Sequence, residues 1–592
     1  MKKIIITLLF FVAMLSAFAI PAKRGLWQIL TLADGTEVKA QLTGDEHLHF
    51  WQSDDGRRFT ITDGGIAIEA NMKQKQNRAL SRRSKSTVTT QLRPPRRTSI
   101  GDRTHYTGKK KGIVILMEFA DTKFKAANTS EKYNDILNKE DYVSGSFKGS
   151  VADYFRAQSN GKFELLFDVL GPYTANNSSV YYGSNDSNDE DKHPDELIVE
   201  AVKSADSEVD FNDYDWDGDG EVDQVFVVYA GKGEADGGGV NTIWPHMYWL
   251  SKTNMAQTLD GVKIDAYACS NEVTPGGYLE GIGTFCHEFS HCLGFPDFYD
   301  IMYEGWFGMN QFDIMDTGSY NGNSFLPAGY TAYEKWMAGW IEPKVLADED
   351  ITVENLVATS ENGEAYIMYN DGHEDEFYMI ENRQKTGWDA DIPANGLMIT
   401  HVDFDKEIWE QNTPNSKITQ TDIDESDGDY TKVNDHQRCT IFHADDDDDS
   451  NYWKSYGGYF SKTTLKEDLY PCNDNDSLTA TSKPAATLFN TNKQGNKTMQ
   501  GAILKIQQNS DKTMSFIYRA KPDSIITDES AINEYIMDKD SHQSANAIHT
   551  LDGRKLRSAT PLGSSKNGVG AGPMPARLRK GIYIIGGRKV VK

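Results

Sequence analysis

The segment Gly281-Ile282-Gly283-Thr284-Phe285-Cys286-His287-Glu288-Phe289-Ser290-His291-Cys292-Leu293-Gly294-Phe295-Pro296-Asp297 constrains this chain more than any other. His287 and His291 stand four apart, so on a helix both imidazoles leave one face and converge on one metal ion. Glu288, beside the first histidine, reaches a water on that ion and takes its proton. Zinc fits best, being content with nitrogen and oxygen donors and catalytic with three protein ligands plus water, whose pKa it lowers toward about 7. With 13 histidines in 592 residues, roughly 0.02 chance matches to His-Glu-x-x-His are expected. The motif therefore points to chemistry rather than to satisfied core histidines. Gly294 suits a left-handed helix end that turns Asp297 back as the third ligand. The competing scheme takes a glutamate from a second helix about 20 to 25 residues on. Positions 311–316 read Gln-Phe-Asp-Ile-Met-Asp and offer none, and Glu334 is much further along.

Downstream, Phe312 to Tyr320 reads as a tight turn presenting Met315, with Tyr320 a candidate phenol for the tetrahedral oxyanion or the metal. Cys286 and Cys292 lie roughly 9 Å apart along a helix, on different faces and away from the histidines. They cannot bridge each other, and a thiol nucleophile is disfavoured. Of the five cysteines, Cys439 and Cys472 stand apart from the others and are expected to pair.

Composition narrows the partners. Acidic residues outnumber basic ones 88 to 61, a net charge of −27, which argues against nucleic acid as a partner. Aromatic residues make up 11% of the chain, as in a globular protein rather than a disordered one. Lys2 and Lys3 precede an apolar run from Ile4 to Ala19, and Ala17-Phe18-Ala19 offers small residues for cleavage, so residues 1–19 read as a removed secretory signal. No later stretch is long and apolar enough to span a membrane.

Residues 20 to about 72 read as short strands, with Asp34-Gly35 a hairpin turn. Lys73 to Lys111 carries thirteen Lys or Arg against one acid, Asp102, and reads as a basic, non-periodic linker where an activating protease cuts. Together residues 20–110 form an expected pro-region. Strands such as Gly112–Phe119 and Asp223–Gly231 alternate with helices such as the one beginning at Ser150, so residues 111–345 read as an α/β catalytic core. Residues 346–520 read as mostly β, residues 521–544 as a linker, and residues 545–592 as a small β tail. Asp215, Asp217, Asp219 and Asp223 alternate around Gly220 as in an EF-hand loop, Glu221 contributing a backbone carbonyl, so a structural calcium is expected there. Phe226 stands where a bidentate Glu normally closes such a loop. Asp422–Asp429 and Asp445–Asp449 are further acidic runs, and the latter reads as a solvated loop rather than a cation site.

The segment His287 to Asp297, the Met315 turn, Asp215 to Tyr229 before Trp244-Pro245-His246-Met247, and Ser150-Val151-Ala152-Asp153-Tyr154-Phe155 with Ser159-Asn160-Gly161-Lys162-Phe163 together resemble immune inhibitor A-type metallopeptidases. The resemblance implies a secreted zinc endopeptidase made as a proenzyme, with a metzincin-like catalytic domain, His287, His291 and Asp297 as zinc ligands and Glu288 as the base. Met315 resembles the Met-turn beneath a metzincin zinc. Two rival readings are a calcium-dependent adhesin-like surface protein with a vestigial metal site, and a zinc hydrolase of small esters or amides. No cysteine precedes Cys269, so a pro-region thiol cannot enforce latency; acids or histidines in Gly44-Asp45-Glu46-His47-Leu48-His49 are candidates instead. At the other end, Leu551-Asp552-Gly553-Arg554-Lys555-Leu556 and Lys580 to Lys592 resemble the sorting domains of type IX secretion cargo in Bacteroidetes, which would make a secretion machinery a partner.

Overall fold

The computed structural model describes residues 18–62, 64–83, 106–426, 432–448 and 465–521, and the strand segments 549–550, 582–585 and 588–591. A short strand, β1 (Phe18–Ala19), precedes an antiparallel sheet of β2 (Trp27–Thr31), β3 (Glu37–Gly44), β4 (His49–Ser53), β5 (Arg58–Ile61) and β6 (Ala67–Glu69). Asp34-Gly35 makes the β2–β3 turn, with Gly35 at a φ of 84°.

Helix α1 (Met72–Arg83) corrects the expectation of a non-periodic linker from Lys73. Its polar side chains find acids far along the chain. Lys73 Nζ lies 2.6 Å from Asp422 and 3.3 Å from Glu425, and Asn77 donates to Glu425 at 2.9 Å. Those acids stand in a helix, Gln420–Glu425. At the far end, Lys109 to Lys111 already belong to a strand. Residues 84–105, the middle of the segment 73–111 in which an activating cut is expected, lie outside the described residues.

A mixed α/β part follows in the order β7 (Gly108–Glu118), α2 (Ser130–Asn138), α3 (Val151–Gln158), β8 (Phe163–Thr174), α4 (Ser179–Gly183), α5 (Pro194–Ala205), β9 (Val225–Tyr229), β10 (His246–Trp249), β11 (Gln257–Leu259), β12 (Val262–Ile264), β13 (Ala266–Asn271), α6 (Gly283–Cys292) and α7 (Ala332–Met337). Six strands make one mixed sheet in the order β1-β10-β13-β9-β7-β8. The four from β13 to β8 run parallel, while β10 and β1 each run antiparallel to their neighbour. Strand β7 is buried on both faces, which explains its unbroken apolar sequence. Ile113, Ile115 and Met117 pack with Leu197, Ile198 and Val202 of α5, whereas Val114 and Leu116 share a core with Phe285 and Phe289 of α6. Ser150 caps α3 through a reciprocal bond with Asp153, and the helix stops at Asn160 and Gly161, both at positive φ.

The β region comprises β14 (Lys344–Val345), β15 (Ile351–Leu356), β16 (Ala365–Asn370), β17 (His373–Arg383), β18 (Gly396–Asp403), α8 (Lys406–Glu410), α9 (Gln420–Glu425), β19 (Cys439–Ile441), β20 (Ala502–Gln508) and β21 (Met514–Arg519). Sheets β14-β16-β17-β18-β19 and β15-β21-β20 enclose one core, in which Val353, Phe516 and Ile503 meet Tyr378, Ile380 and Ile399. The other face of the larger sheet, with Ile367, Phe377 and Met379, packs on the α/β part; Trp336 of α7 meets Phe377 edge-on at 5.6 Å. This division overturns the expected Cys439–Cys472 pairing. Cys439 belongs to the face toward the α/β part and Cys472 to the core between the sheets, so both thiols are free.

The carboxyl-terminal unit, described by itself, has β22 (His549–Thr550), β23 (Ile582–Ile585) and β24 (Arg588–Val591) in one antiparallel sheet. Among the described residues no helix is long and apolar enough to cross a membrane.

Candidate metal centre

Helix α6 is fixed at both ends by glycine. A Cβ on Gly283 would stand 1.9 Å from the Ser319 carbonyl oxygen, so only glycine lets the helix start against the 317–320 turn. Gly294, at a φ of 87°, reverses the chain, and Asp297 returns to the histidine face. His287 Nε2 and His291 Nε2 are 3.2 Å apart, and each lies 3.3 Å from Asp297 Oδ1. Donors about 2.0–2.1 Å from a tetrahedral ion stand about 3.3 Å from one another. The three groups are buried to within 1% of complete.

The remaining atoms of the donors set their protonation. His287 Nδ1 lies 2.8 Å from the Ile314 carbonyl and His291 Nδ1 2.7 Å from that of Phe295. A carbonyl only accepts, so both Nδ1 atoms carry the proton and both Nε2 atoms present lone pairs. Burial pushes the His291 pKa down, against the pull of Asp297. Two lone pairs and a carboxylate oxygen with no hydrogen-bond donor are thus aimed at one another, an arrangement that a divalent cation satisfies.

The sequence reading missed Asn412. Its Nδ2 donates to Asp297 Oδ2 at 2.7 Å, and its Oδ1 accepts the Asp297 backbone N–H at 2.7 Å. This fully buried residue sits in a left-handed bend, at a φ of 55°, directly after α8 of the β region. Nothing in the run Gln411-Asn412-Thr413 signals such a role. By holding one carboxylate oxygen, Asn412 leaves Oδ1 facing the two histidines. Asn412→Ala is expected to weaken the affinity of this donor set for a divalent metal by roughly 10–100-fold, read by chelator competition; unchanged affinity in a folded variant would remove the residue from the centre.

Glu288 is also fully buried. Its Oε1 accepts the Ile20 backbone N–H at 2.7 Å, and its Oε2 has no hydrogen-bond partner. Burial first, then Glu46 and Asp297, push its carboxyl well above the usual range. Met315 is buried in the turn, next to Ile314, whose carbonyl orients His287. Tyr320 donates its hydroxyl to the Pro21 carbonyl at 2.8 Å. Burial also pushes the thiols of Cys286 and Cys292 up, which leaves them protonated and unreactive.

The amino-terminal segment crosses this site. Strand β1 pairs with β10, Phe18 opposite Met247 and Ala19 opposite His246. Trp244 Nε1 then donates to the Ile20 carbonyl at 3.0 Å, and Lys23 N donates to the Ala235 carbonyl at 2.8 Å. The stretch from Gly44 to His49 braces this segment. The Gly44 carbonyl accepts Ala22 N–H at 2.7 Å, Asp45 Oδ1 accepts the His47 and Leu48 amides, and His49 stacks on Trp244 at 5.1 Å.

In the acidic loop, carboxyl oxygens of Asp215, Asp217 and Asp219 lie within 4.8 Å of one another, and Gly220 makes the expected turn at a φ of 90°. Glu221 sends its side chain to Lys263 at 3.1 Å, and Asp223 Oδ2 accepts the Trp216 amide at 2.5 Å. Burial, with smaller contributions from Asp217, Asp219 and Asp215, pushes the Asp223 carboxyl up to about 7.

Two imidazoles and a carboxylate trained on one point, with a raised carboxyl alongside, make the donor set of a metal-dependent hydrolase. Residues 102–345 match the family model of the immune inhibitor A peptidase M6 catalytic domain. The chain is 28% identical over 283 residues to an immune inhibitor A of Bacillus thuringiensis subsp. alesti, covering 39% of this chain and 40% of that protein. It is 26% identical over 265 residues to a pre-pro-metalloprotease PrtV of Vibrio cholerae serotype O1, covering 38% of this chain and 28% of that protein. The chain thus spans less than half the length of the curated relatives it matches. These matches support a metallopeptidase function.

Proposed function

We propose that this chain is a secreted zinc endopeptidase held latent by its own amino-terminal segment. The observation that carries the reading is the His287–His291–Asp297 triangle beside Glu288, in a cleft crossed by extended main chain. His287, His291 and Asp297 would hold the zinc, which when bound supplies Lewis acidity toward a peptide carbonyl and a water molecule. Glu288 is suited to take a proton from the attacking water and pass it to the departing nitrogen, since its Oε1 already lies 2.7 Å from a backbone nitrogen. Met315 supports the reading as part of an apolar floor. Tyr320 is engaged by Pro21, so an oxyanion role for its phenol requires the amino-terminal segment to leave.

Main-chain recognition of residues 20–23 favours a protein substrate over a small ester or amide. A fully buried, raised carboxyl beside the metal ligands is costly to keep, which counts against an adhesin with a vestigial site. Calcium at Asp215, Asp217 and Asp219 is retained as a structural cation; the Glu221 side chain is left to Lys263. The secretory reading of residues 1–19, the activating cut within residues 73–111 and the type IX sorting reading of residues 545–592 rest on sequence.

The test is limited tryptic cleavage of the full chain, followed by separation of the amino-terminal fragment. Casein hydrolysis is expected to rise by roughly 100-fold, the shift from a mostly closed to a mostly open population, and to vanish with a zinc chelator. Equal hydrolysis before and after cleavage would remove the latency, and chelator-insensitive hydrolysis would remove the metal mechanism.

A further inference from the structure

We infer that Asp236 and Glu280 form a subsite for a cationic side chain, lysine or arginine, at the fourth residue on the leaving-amine side of the bond that is cut. The inference rests on the peptidase reading above and adds what that peptidase selects.

Residues 20–23 lie in the cleft as a peptide lies in a binding site. Counting from the nitrogen at Glu288, the first carbonyl, of Ile20, accepts from Trp244 Nε1 and the second, of Pro21, from the Tyr320 hydroxyl. The fourth amide, of Lys23, donates to the Ala235 carbonyl. These bonds engage main chain that every peptide carries, so they are indifferent to sequence. The Ile20 and Ala22 side chains meet apolar surface at Trp244 and Ala235. Lys23 is different. Its Nζ lies 3.6 Å from Asp236 Oδ1 and 3.9 Å from Glu280 Oε1, and 5.4 Å from the centre of the Tyr320 ring.

The pocket is built for charge. The side chains of Asp236 and Glu280 are only 1% and 4% exposed, and Asp236 Oδ1 has no hydrogen-bond donor; its Oδ2 takes the Asn271 amide at 3.3 Å. Two nearby carboxylates removed from water are stable only with a cation or a proton between them. Burial first, then Asp236, push the Glu280 carboxyl up to about 8, and Lys23 opposes them. Asp236 lies between β9 and β10 and Glu280 just before α6, both within the catalytic part, whereas Lys23 departs with the amino-terminal segment. The acids remain, and a lysine or arginine of a bound substrate takes the place of Lys23, its charge seated over the Tyr320 ring.

The full chain, activated by limited proteolysis and loaded with zinc, is assayed on peptides identical except for Lys, Arg, norleucine or Glu at the fourth position after the cut bond. The expected kcat/KM for Lys and Arg exceeds that for norleucine by about tenfold, with Glu poorest. In Asp236→Asn/Glu280→Gln the Lys-to-norleucine ratio is expected to fall toward about one. If that variant fails to fold, the salt dependence of the ratio in the unaltered enzyme decides, since a charge-reading pocket loses preference as salt rises. A ratio near one in the unaltered enzyme, or a ratio that survives in the folded double variant, overturns the subsite while cleavage of the peptides leaves the peptidase standing. Cleavage of none of the peptides overturns the peptidase reading and the subsite with it.

Discussion

Glu288→Gln is expected to yield a folded, zinc-binding protein whose kcat/KM on peptides after activation is lower by roughly 10²–10⁴-fold. The substitution keeps the shape of a fully buried side chain, and the amide oxygen of glutamine can still accept the Ile20 N–H that Glu288 Oε1 accepts at 2.7 Å. What it loses is the ability to hold a proton between attack and departure of the amine. Stability is not expected to suffer, because burial, Glu46 and Asp297 all act against a charge at this position. A variant that retains activity within a few-fold would show that the proton moves elsewhere. A variant that loses zinc as well would show that Glu288 is a ligand and not a base.

Asp297→Ala should have the larger effect on the protein itself. It removes the one anionic donor of the triangle and leaves the Asn412 amide, now bonded at 2.7 Å, without its partner in a sealed interior. Elemental analysis is expected to find about one zinc per chain in the parent protein and essentially none in the variant. Zinc at about a thousand times its dissociation constant should stabilise the parent by about 4 kcal/mol, seen as a rise in Tm, and should leave the Tm of Asp297→Ala unmoved. Full zinc occupancy in the variant would mean that a different group completes the site. Asp297→Asn, which keeps the shape and the contact with Asn412, separates loss of the metal from loss of packing.

Local chemistry made part of this protein readable from its residues. The four-residue spacing of His287 and His291 follows from helical periodicity alone, and the reversal at Gly294 follows from a conformation that glycine adopts without strain. The Ser150–Asp153 cap, the Asp34-Gly35 turn and the two-sided burial of Ile113 to Met117 are likewise properties of a few adjacent side chains. Basic residues were a weaker guide. From Lys73 to Arg83 the charge pattern suggested a tether, whereas the acids of α9 give Lys73 and Asn77 partners and the segment is helical.

Contacts between distant parts of the chain had no such signature. Ile20 meets Glu288 across 268 positions, and Asn412 meets Asp297 across 115. The separate faces on which Cys439 and Cys472 lie, and the acids that surround Lys23, also follow from how sheets and loops pack. A side-chain pattern states which face of an element is apolar, but not what will cover it. The sequence by itself determined the helix, its donors and their spacing. Only the tertiary structure decided what holds Asp297 in place and what lies across the cleft, because those contacts form through the packing of elements whose local preferences are satisfied without them.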